Sequence, residues 1–295
     1  MMKNPLVSVG IPCYNRPEGL RRTLECITGQ TYRNLEIIVS DNCSPDPEVE
    51  RIGREFASKD SRIEYYRQDV NRGPTYNFQF VLEKATGEYF MWAADDDECK
   101  STYVKECILP LLMNDALVLA YSEAIIRNFN GKKEYLWPSD LNTVGLNLSE
   151  RLKKVLFNQH RNTEFYGLMR TKVIQQYNLK NFFGEDHVVV FFLAMRGEFI
   201  KVKPGLFVSG EGQTGCSNEL IVATLGLKKG NLYFGYLNQM KYMIKTLFRY
   251  GSDLSRCEKM NLCIIILKRY FFVKKYRKAI ISGLLVLFKD IKRNI

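Results

Sequence analysis

Hydrophobic and polar residues follow two different periods along the first 120 residues of the chain. Apolar residues that recur every three or four positions predict helices, the first of which begins at Pro17. We expect Pro12 to stop the strand before it. Strands that alternate with helices predict an α/β fold on an open, mostly parallel sheet. Short apolar runs typical of its buried strands lie at 6–11, 35–40, 63–67, 89–94 and 117–121.

Polar residues follow three of these predicted strands at the point where each one ends. Pro12, Tyr14 and Asn15 come after the first strand, Asp41 after the second, and Asp95–Asp97 after the fourth. Ligands of open α/β sheets bind beyond the carboxyl ends of the strands. We therefore expect these segments, which are far apart in sequence, to converge at one edge of the sheet.

The second half of the chain has fewer regular patterns. A capped helix is predicted over 151–157, and a turn at 183–187 leads into a helix that Gly197 ends. A strand is expected at 199–203. From about residue 227 onward, the sequence predicts basic helices rich in aromatic residues.

The positive charge of the protein is concentrated toward its C-terminal end. Residues 221–295 hold 16 Lys/Arg and 3 Asp/Glu, whereas residues 1–220 hold 27 and 29. Apolar and aromatic residues separate the basic ones, a pattern that suits a helix lying on an anionic bilayer. The alternative is a helical subdomain that packs its apolar face on the rest of the protein. The longest apolar run, 279–288, is shorter than the roughly 18–20 residues that a membrane-spanning helix needs.

Cysteine and histidine usage limits the kinds of metal site. The eight cysteines include no CxxC pair and the chain has two histidines, which argues against zinc and excludes a histidine-rich site. Their spacing shows no disulfide framework, so we expect reduced thiols in a cytoplasmic protein. The N-terminus runs directly into a strand pattern and shows no apolar region of a signal peptide.

The three adjacent carboxylates Asp95, Asp96 and Asp97 repel one another and lose hydration if they are buried. A divalent cation would neutralise them, because Mg²⁺ in proteins binds one or two carboxylates together with phosphate oxygens and water. The alternative is a solvated acidic loop.

Other polar residues offer chemistry, each with an ordinary alternative. Asp41 can accept hydrogen bonds from a ribose or a base, or it can bond its own turn. Tyr14 offers a ring for stacking and Asn15 an amide, unless this loop only caps a helix. Arg72 can meet a phosphate or stay solvated. Glu185-Asp186 can supply a general base or simply favour a helix N-terminus.

The order and spacing of these segments resemble family 2 glycosyltransferases. The resemblance is carried by VSVGIPCYNR, EIIVSDNCS and NRGPTYNFQFVLEKATGEYFMWAADDD, covers about 5–125 and continues weakly over 183–208. It implies a GT-A fold and inverting transfer from a nucleotide-sugar. The predicted parts are a catalytic domain at 1–225, with a nucleotide-sugar half at about 1–125 and an acceptor half at about 126–225, and a basic amphipathic helical tail at 226–295.

The resemblance also implies roles for individual residues. Mn²⁺ or Mg²⁺ is implied on the aspartate run, at Asp97 first and Asp96 second. Asp186, or its neighbour Glu185, is implied as the base that deprotonates an acceptor hydroxyl. A UDP-sugar is the expected donor, because such donors are the commonest in the family. The residues implied around the nucleotide-sugar are Pro12, Tyr14, Asn15, Asp41, Arg72, Asp95 and Asp96.

The tail suggests where the acceptor lies. A tail on an anionic membrane fits a lipid-linked glycan, as in surface polysaccharide assembly, on the inner face of the cell membrane. Many relatives carry an Arg-x-His element after the last strand, but residues 208–215 contain no histidine. The resemblance therefore supplies no further metal or phosphate ligand from that loop.

Rival functions lack their own sequence signals. A sugar nucleotidyltransferase usually has a loop rich in Gly and Lys/Arg after the first strand, where this chain has Pro12–Asn15. A dinucleotide-dependent oxidoreductase would need GxGxxG at that point. A non-enzymatic module that binds nucleic acid or membrane would place basic residues along one face of its fold. The nearly neutral first 220 residues argue against a nucleic-acid partner.

Overall fold

The computed structural model describes residues 4–95, 97–127, 134–158, 162–210 and 235–272. Two sheets make up its β structure. The strands of the larger sheet are β1 (Val7–Cys13), β2 (Leu35–Asp41), β3 (Ile63–Arg67), β4 (Tyr89–Trp92), β6 (Leu117–Tyr121), β9 (Leu168–Arg170) and β10 (Glu198–Lys201). Those of the smaller sheet are β5 (Asp97–Cys99), β7 (Ala124–Arg127), β8 (Glu134–Leu136) and β11 (Phe207–Gly210).

Helices cover both faces of the larger sheet. They are α1 (Pro17–Thr28), α2 (Pro47–Lys59), α3 (Pro74–Lys84), α4 (Tyr103–Met113), α5 (Leu148–Asn158), α6 (Thr171–Ile174), α7 (Glu185–Arg196), α8 (Gly235–Tyr250) and α9 (Arg256–Phe272). A 3-10 helix, Thr163–Tyr166, precedes β9.

The larger sheet has the strand order β10-β6-β9-β4-β1-β2-β3. All its neighbouring strands run parallel except β9, which is antiparallel to both β4 and β6. The N-terminal end of β9 therefore lies beside the carboxyl ends of β4 and β6. The predicted α/β class, with a mostly parallel sheet, flanking helices and a helical C-terminal region, is confirmed.

The sheet separates two apolar layers because successive strand residues point to opposite faces. In β2, Ile38 packs in the layer with α3, α5 and α7, whereas Ile37 and Val39 pack in the layer with α1, α2 and α4. Strands β1, β4 and β6 are buried along their whole length, which explains why they read as apolar runs.

The prediction that Pro12 stops the first strand is wrong. β1 pairs with β2 through Cys13 and Asp41, but its pairing with β4 ends at Gly10. The Gly10 carbonyl accepts from Ala93 on the β4 side. Pro12, two residues on, faces that same side beyond the paired part of β4, so its missing N–H breaks no ladder hydrogen bond.

The C-terminal helices pack against the α/β unit. Met243 and Leu247 of α8, and Leu262 and Ile266 of α9, are fully buried in the same apolar layer as α5 and α7. Residues 211–234 and 273–295 lie outside the described part, so the predicted boundary at residue 226 stays a prediction. Within 4–272, as far as the structure describes it, no helix is long and apolar enough to cross a bilayer.

Candidate active site

The carboxyl ends of β1, β2 and β4, with the residues that follow them, form one continuous surface that we call the carboxyl edge. Buried Asn77 of α3 ties the first two strands together there, because its amide nitrogen donates to the carbonyls of Cys13 (3.2 Å) and Ser40 (2.8 Å). The convergence expected from the sequence is present in the structure.

The loop after β1 is bonded to the loop after β2. The backbone N–H of Asn15 donates to Ser44 Oγ at 2.8 Å, and Ser44 in turn donates to Asp41 through both its hydroxyl (2.5 Å) and its backbone N–H (2.9 Å). Asn15 has a φ of 55°, in the left-handed region that asparagine tolerates better than most residues. Asn15 and Asp41 are thus joined through one serine.

Asp41 is fully buried, and its oxygens already have protein donors. Besides Ser44, it accepts from the Tyr65 hydroxyl at 3.0 Å and from Arg67 Nη1 at 2.5 Å. Burial, and to a lesser extent the charge of Asp41, raise the pKa of Tyr65, which keeps that hydroxyl a donor. In this structure Asp41 organises the carboxyl edge, and its contact with a nucleotide stays a prediction.

The turn that carries Arg72 is attached to the same edge. The backbone N–H of Arg72 donates to Asn42 Oδ1 at 3.0 Å, and the Asn42 amide donates to Asn71 at 2.9 Å. The guanidinium of Arg72 lies 4.8 Å from the centre of the Tyr76 ring and donates to the Tyr76 hydroxyl at 2.9 Å. Arg72 is therefore held by a stacking contact at a place where an anion could reach it.

Asp95 faces the loop after β1. Its two carboxylate oxygens accept from the Tyr14 backbone N–H (3.1 Å) and from Arg16 Nη1 (3.0 Å), and the residue is 7% exposed. Tyr14 itself is 42% exposed, so its ring is open to a ligand. Helix α1 comes so close that a Cβ on Gly19 would lie 1.9 Å from the Asp95 carbonyl oxygen.

Asp97 does not lie in a loop, because it begins β5 and pairs with Ser209 of β11. Thr23 of α1 fixes this segment by donating to the carbonyls of Ala94 (3.0 Å) and Asp97 (3.1 Å). Asp97 is 6% exposed. Asp96, which stands between the two buried aspartates, lies outside the described residues.

The carboxyl edge combines buried carboxylates with arginines, as in the pairs Arg16–Asp95 and Arg67–Asp41. Burial, together with the charges of Asp95 and Asp41, raises the pKa of the Cys13 thiol well above its ordinary value. In the described residues no cluster of three or more His, Cys, Asp or Glu is arranged as a metal site. Mg²⁺ takes one or two protein carboxylates and completes its shell with phosphate oxygens and water. Asp95 and Asp97 are carboxylates of that kind, but the Asp95 oxygens already accept from Tyr14 and Arg16, so a cation on this run stays a prediction.

The two carboxylates at the start of α7 differ in their surroundings. Glu185 accepts from the Lys180 backbone N–H at 2.8 Å, and burial raises its pKa to about 8. The Lys180 N–H and the nearby Tyr177 hydroxyl oppose this rise. Both residues are partly exposed as a whole, and which of them acts as the base stays a prediction.

Glu164 is a further acidic residue that the sequence analysis missed. It is 3% exposed, and its hydrogen-bonding partner is the Ser139 hydroxyl. Burial raises its pKa, and the charge of Asp186 adds to the rise, so these two carboxyl groups lie within electrostatic reach. A single glutamate in an irregular stretch carries no motif by which the sequence would have revealed it.

The 3-10 helix that contains Glu164 packs against the end of β4. It precedes β9, and its residue Phe165 stacks on Trp92 at the end of β4 with ring centres 4.4 Å apart. Helix α7 ends at Arg196, just before β10 begins, so its N-terminus with Asp186 lies toward the same edge of the sheet as Asp95.

Sequence comparison identifies the family. The sequence profile described as Glycosyl transferase family 2 matches residues 8–177, more than half of the chain. The chain belongs to this family. The predicted family is thereby confirmed, and with it the predicted class of transferase enzyme.

Relatives with described activities support the family assignment. The chain is 29% identical over 197 residues to the GalNAc(5)-diNAcBac-PP-undecaprenol beta-1,3-glucosyltransferase of Campylobacter jejuni, covering 61% of this chain and 62% of that one. It is 34% identical over 105 residues to Glycosyltransferase GlyA of Streptococcus pneumoniae, covering 36% and 15%. The chain thus spans less than two thirds of the length of these relatives.

Solved structures share the fold. Residues 1–349 of S. aureus TarS in complex with UDP-GlcNAc have a TM-score of 0.65 and 15% identity, over 94% of this chain and 79% of that one. Mannosyltransferase PcManGT of Pyrobaculum calidifontis, in complex with GDP-Man and Mn²⁺, has a TM-score of 0.54 and 14% identity, over 98% and 86%. These similarities confirm the GT-A-type fold.

Proposed function

We propose that the protein is an inverting glycosyltransferase that moves a sugar from a nucleotide-sugar, by preference a UDP-sugar, to an acceptor hydroxyl. The observation that carries this proposal is the convergence of Tyr14, Arg72 and Asp95 at the carboxyl edge, toward which the N-terminus of α7 with Asp186 also lies. The solved neighbours TarS and PcManGT hold UDP-GlcNAc and GDP-Man, which supports a nucleotide-sugar as the donor.

The carboxyl edge would bind the donor through several different contacts. The exposed ring of Tyr14 would stack on the nucleobase, and the loop of Pro12 and Asn15 would line the ribose. Arg72 would meet the diphosphate. Asp97, together with Asp96, would hold Mn²⁺ or Mg²⁺, and a bound cation offsets charge on the departing nucleoside diphosphate.

Asp186 would act as the base of the transfer. It would accept the proton of the acceptor hydroxyl as the hydroxyl oxygen attacks the anomeric carbon on the side opposite the leaving diphosphate. One displacement forms the new glycosidic bond, breaks the bond to the diphosphate and inverts the configuration. Glu185 is the weaker candidate, because its pKa of about 8 keeps the carboxyl group protonated at neutral pH.

The donor and the stereochemistry can be tested together. The protein is incubated with UDP-, GDP- and dTDP-sugars and Mn²⁺, and the slow release of free sugar is followed by NMR. We expect turnover of one α-linked nucleotide-sugar, with the β-anomer released first. Release of the α-anomer first would contradict the inverting mechanism, and no turnover of any donor would contradict the proposed activity.

We also propose that the acceptor is a lipid-linked glycan at the inner face of the cell membrane, which the protein reaches through its C-terminal helices. The Campylobacter relative is, by its name, a glucosyltransferase whose acceptor is linked to undecaprenol. On α9 the exposed residues Met260, Ile264, Leu267 and Phe271 repeat at helical spacing and form an apolar outer face. With the 16 Lys/Arg and 3 Asp/Glu of residues 221–295, this face would suit an anionic bilayer.

A vesicle experiment tests the membrane contact. Sedimentation with vesicles of 30% phosphatidylserine is compared with pure phosphatidylcholine, at low and high salt. We expect salt-sensitive binding to the anionic vesicles that falls about tenfold or more in Ile264→Glu/Phe271→Glu, because each inserted apolar side chain is worth roughly 1.5–3 kcal/mol. Met113→Glu is the matched control, since Met113 is 87% exposed on the distant α4. Equal binding by all three proteins would contradict the proposed face.

A further inference from the structure

The turn just before the proposed base is built in an unusual conformation. Gly184 precedes α7 directly and has a φ of +83°, the left-handed region in which glycine is the least strained residue. Glu185 and Asp186 are the first two residues of the helix. The path of the chain at Gly184 therefore sets where the Asp186 carboxylate points.

Helix α8 packs along this turn through aromatic rings. Phe182 stacks on Tyr242 with ring centres 4.6 Å apart and planes inclined by 7°, and Phe183 meets Tyr236 edge-on at 6.0 Å. Gly235 lies so close beneath Phe183 that a Cβ there would be 2.8 Å from its ring. The turn therefore packs against residues of α8, which lie about 50 to 60 positions later in the sequence.

Gln239 of α8 fills the space where residue 184 has no side chain. A Cβ on Gly184 would lie 1.5 Å from the Gln239 amide nitrogen. Gln239 is 3% exposed, and its amide oxygen accepts from the hydroxyl of the fully buried Tyr270 in α9 at 3.0 Å. A buried hydrogen bond between α8 and α9 therefore fixes the side chain that abuts the turn.

We infer that Gln239 and Tyr270 are positioning residues for the transfer reaction, holding the Gly184 turn so that Asp186 meets the acceptor hydroxyl. This inference rests on the proposed function, in which Asp186 is the base. The C-terminal helices are then part of the catalytic apparatus, in addition to any contact with a membrane. A base displaced by about 1 Å can lose up to a hundredfold in rate while donor binding at the carboxyl edge is untouched.

Tyr270→Phe and Gln239→Leu test the inference, with Tyr250→Phe as the matched control. Tyr250 also lies on α8 and donates its hydroxyl, but to the Gln176 carbonyl at 3.1 Å, away from the Gly184 turn. Donor turnover and isothermal titration of UDP with Mn²⁺ are measured on each folded protein, well below its melting temperature.

We expect kcat to fall about tenfold in Tyr270→Phe and in Gln239→Leu, with the KM for the donor and the Kd for UDP unchanged. Tyr250→Phe should keep wild-type kcat. The double variant Tyr270→Phe/Gln239→Leu should lose less than the product of the single losses, because both residues act through the same hydrogen bond.

Two results would overturn the inference. One is a kcat within twofold of wild type in both single variants, and the other is a parallel loss of kcat and UDP affinity, which would indicate general damage to the fold. Asp186→Asn separates these failures from that of the proposed function. If Asp186→Asn retains full turnover, the base assignment is wrong, whereas an inactive Asp186→Asn with unaffected Tyr270 and Gln239 variants refutes only the positioning role.

Discussion

The carboxyl edge and the start of α7 carry the two halves of the proposed reaction, but they are held in place in different ways. At the carboxyl edge, each polar residue follows a strand, and short bonds between neighbouring loops connect them, as from Asn15 through Ser44 to Asp41. At α7, the turn is held by residues from α8 and α9, whose own position depends on tertiary packing.

This difference teaches that the proposed donor site is built from strand ends of the sheet, whereas the proposed base is positioned by helices that come later in the chain. Strand ends of a parallel sheet meet at one edge whatever follows in the chain. The orientation of α7 has no such guarantee, because helices α8 and α9 must first dock. Substitutions should therefore affect the two regions separately.

The largest expected effect is the loss of turnover in Asp186→Asn. A positioned general base contributes about 10²–10⁴-fold to a rate, so we expect a decrease in donor turnover within that range. Binding of UDP should stay at the wild-type level, because the carboxyl edge is intact. Steady-state kinetics and isothermal titration on the same preparation measure both. A matching loss of UDP affinity would show that the two regions are not separable.

A smaller effect is expected from Arg67→Ala, which probes how far the carboxyl edge depends on buried Asp41. Removing one partner of a buried pair typically costs about 3–5 kcal/mol. Arg67 is 31% exposed in its side chain, and Asp41 keeps its bonds from Ser44 and Tyr65, so we expect a decrease of about 2 kcal/mol in the free energy of unfolding.

Urea unfolding measures this loss, with Arg51→Ala as the control. Arg51 pairs with Glu48 on the exposed side of α2, where ion pairs contribute little, so its loss should leave the unfolding midpoint unchanged. Equal midpoints for Arg67→Ala and wild type would show that Asp41 does not need this partner.

The smallest expected effect is a pH-dependent gain in Glu185→Gln, which probes the start of α7. Burial raises the pKa of Glu185 from 4.5 to about 8. Between these values the folded protein holds a proton that the unfolded chain releases, so the contribution of Glu185 to stability is complete below pH 4.5 and is lost as the pH rises through 8. Glutamine has no proton to lose.

The free energy of unfolding of Glu185→Gln, relative to wild type, should therefore be higher at pH 8 than at pH 5. The full rise of the pKa would correspond to about 3–4 kcal/mol over this interval. Glu185 is partly exposed, and solvent screening reduces the effect, so we expect the difference to grow by roughly 1–2 kcal/mol. Urea unfolding at both pH values measures it. A constant difference would mean that Glu185 ionises in the folded protein as it does in water.

The same contrast explains what the sequence could predict. The five main strands, the helix at Pro17 and the convergence of their polar ends follow from apolar runs and chain order. The sequence does not predict helix α4, because Pro110 lies in its interior and proline usually ends a helix. The smaller sheet was missed because its four strands have only three or four residues each.

The sequence also does not predict that β9 lies between β4 and β6. Leu168–Arg170 has three residues, too few for a periodic signal, and its antiparallel direction is set by its neighbours. This strand brings Glu164 near Asp186, and Gln239 reaches Gly184 only after α8 has docked. Contacts between residues far apart in the sequence set the positions of Glu164 and Gln239, so no local sequence pattern predicts them.

The most direct test of the central claim is isothermal titration of UDP, with and without Mn²⁺, against wild type and an Asp96→Asn/Asp97→Asn variant. If the nucleoside diphosphate binds at the carboxyl edge, wild type should bind UDP at least about tenfold more tightly with Mn²⁺. The variant should lose that gain. Failure of UDP, GDP and dTDP to bind with either Mn²⁺ or Mg²⁺, or a gain that persists in the variant, would contradict the donor site proposed for this edge.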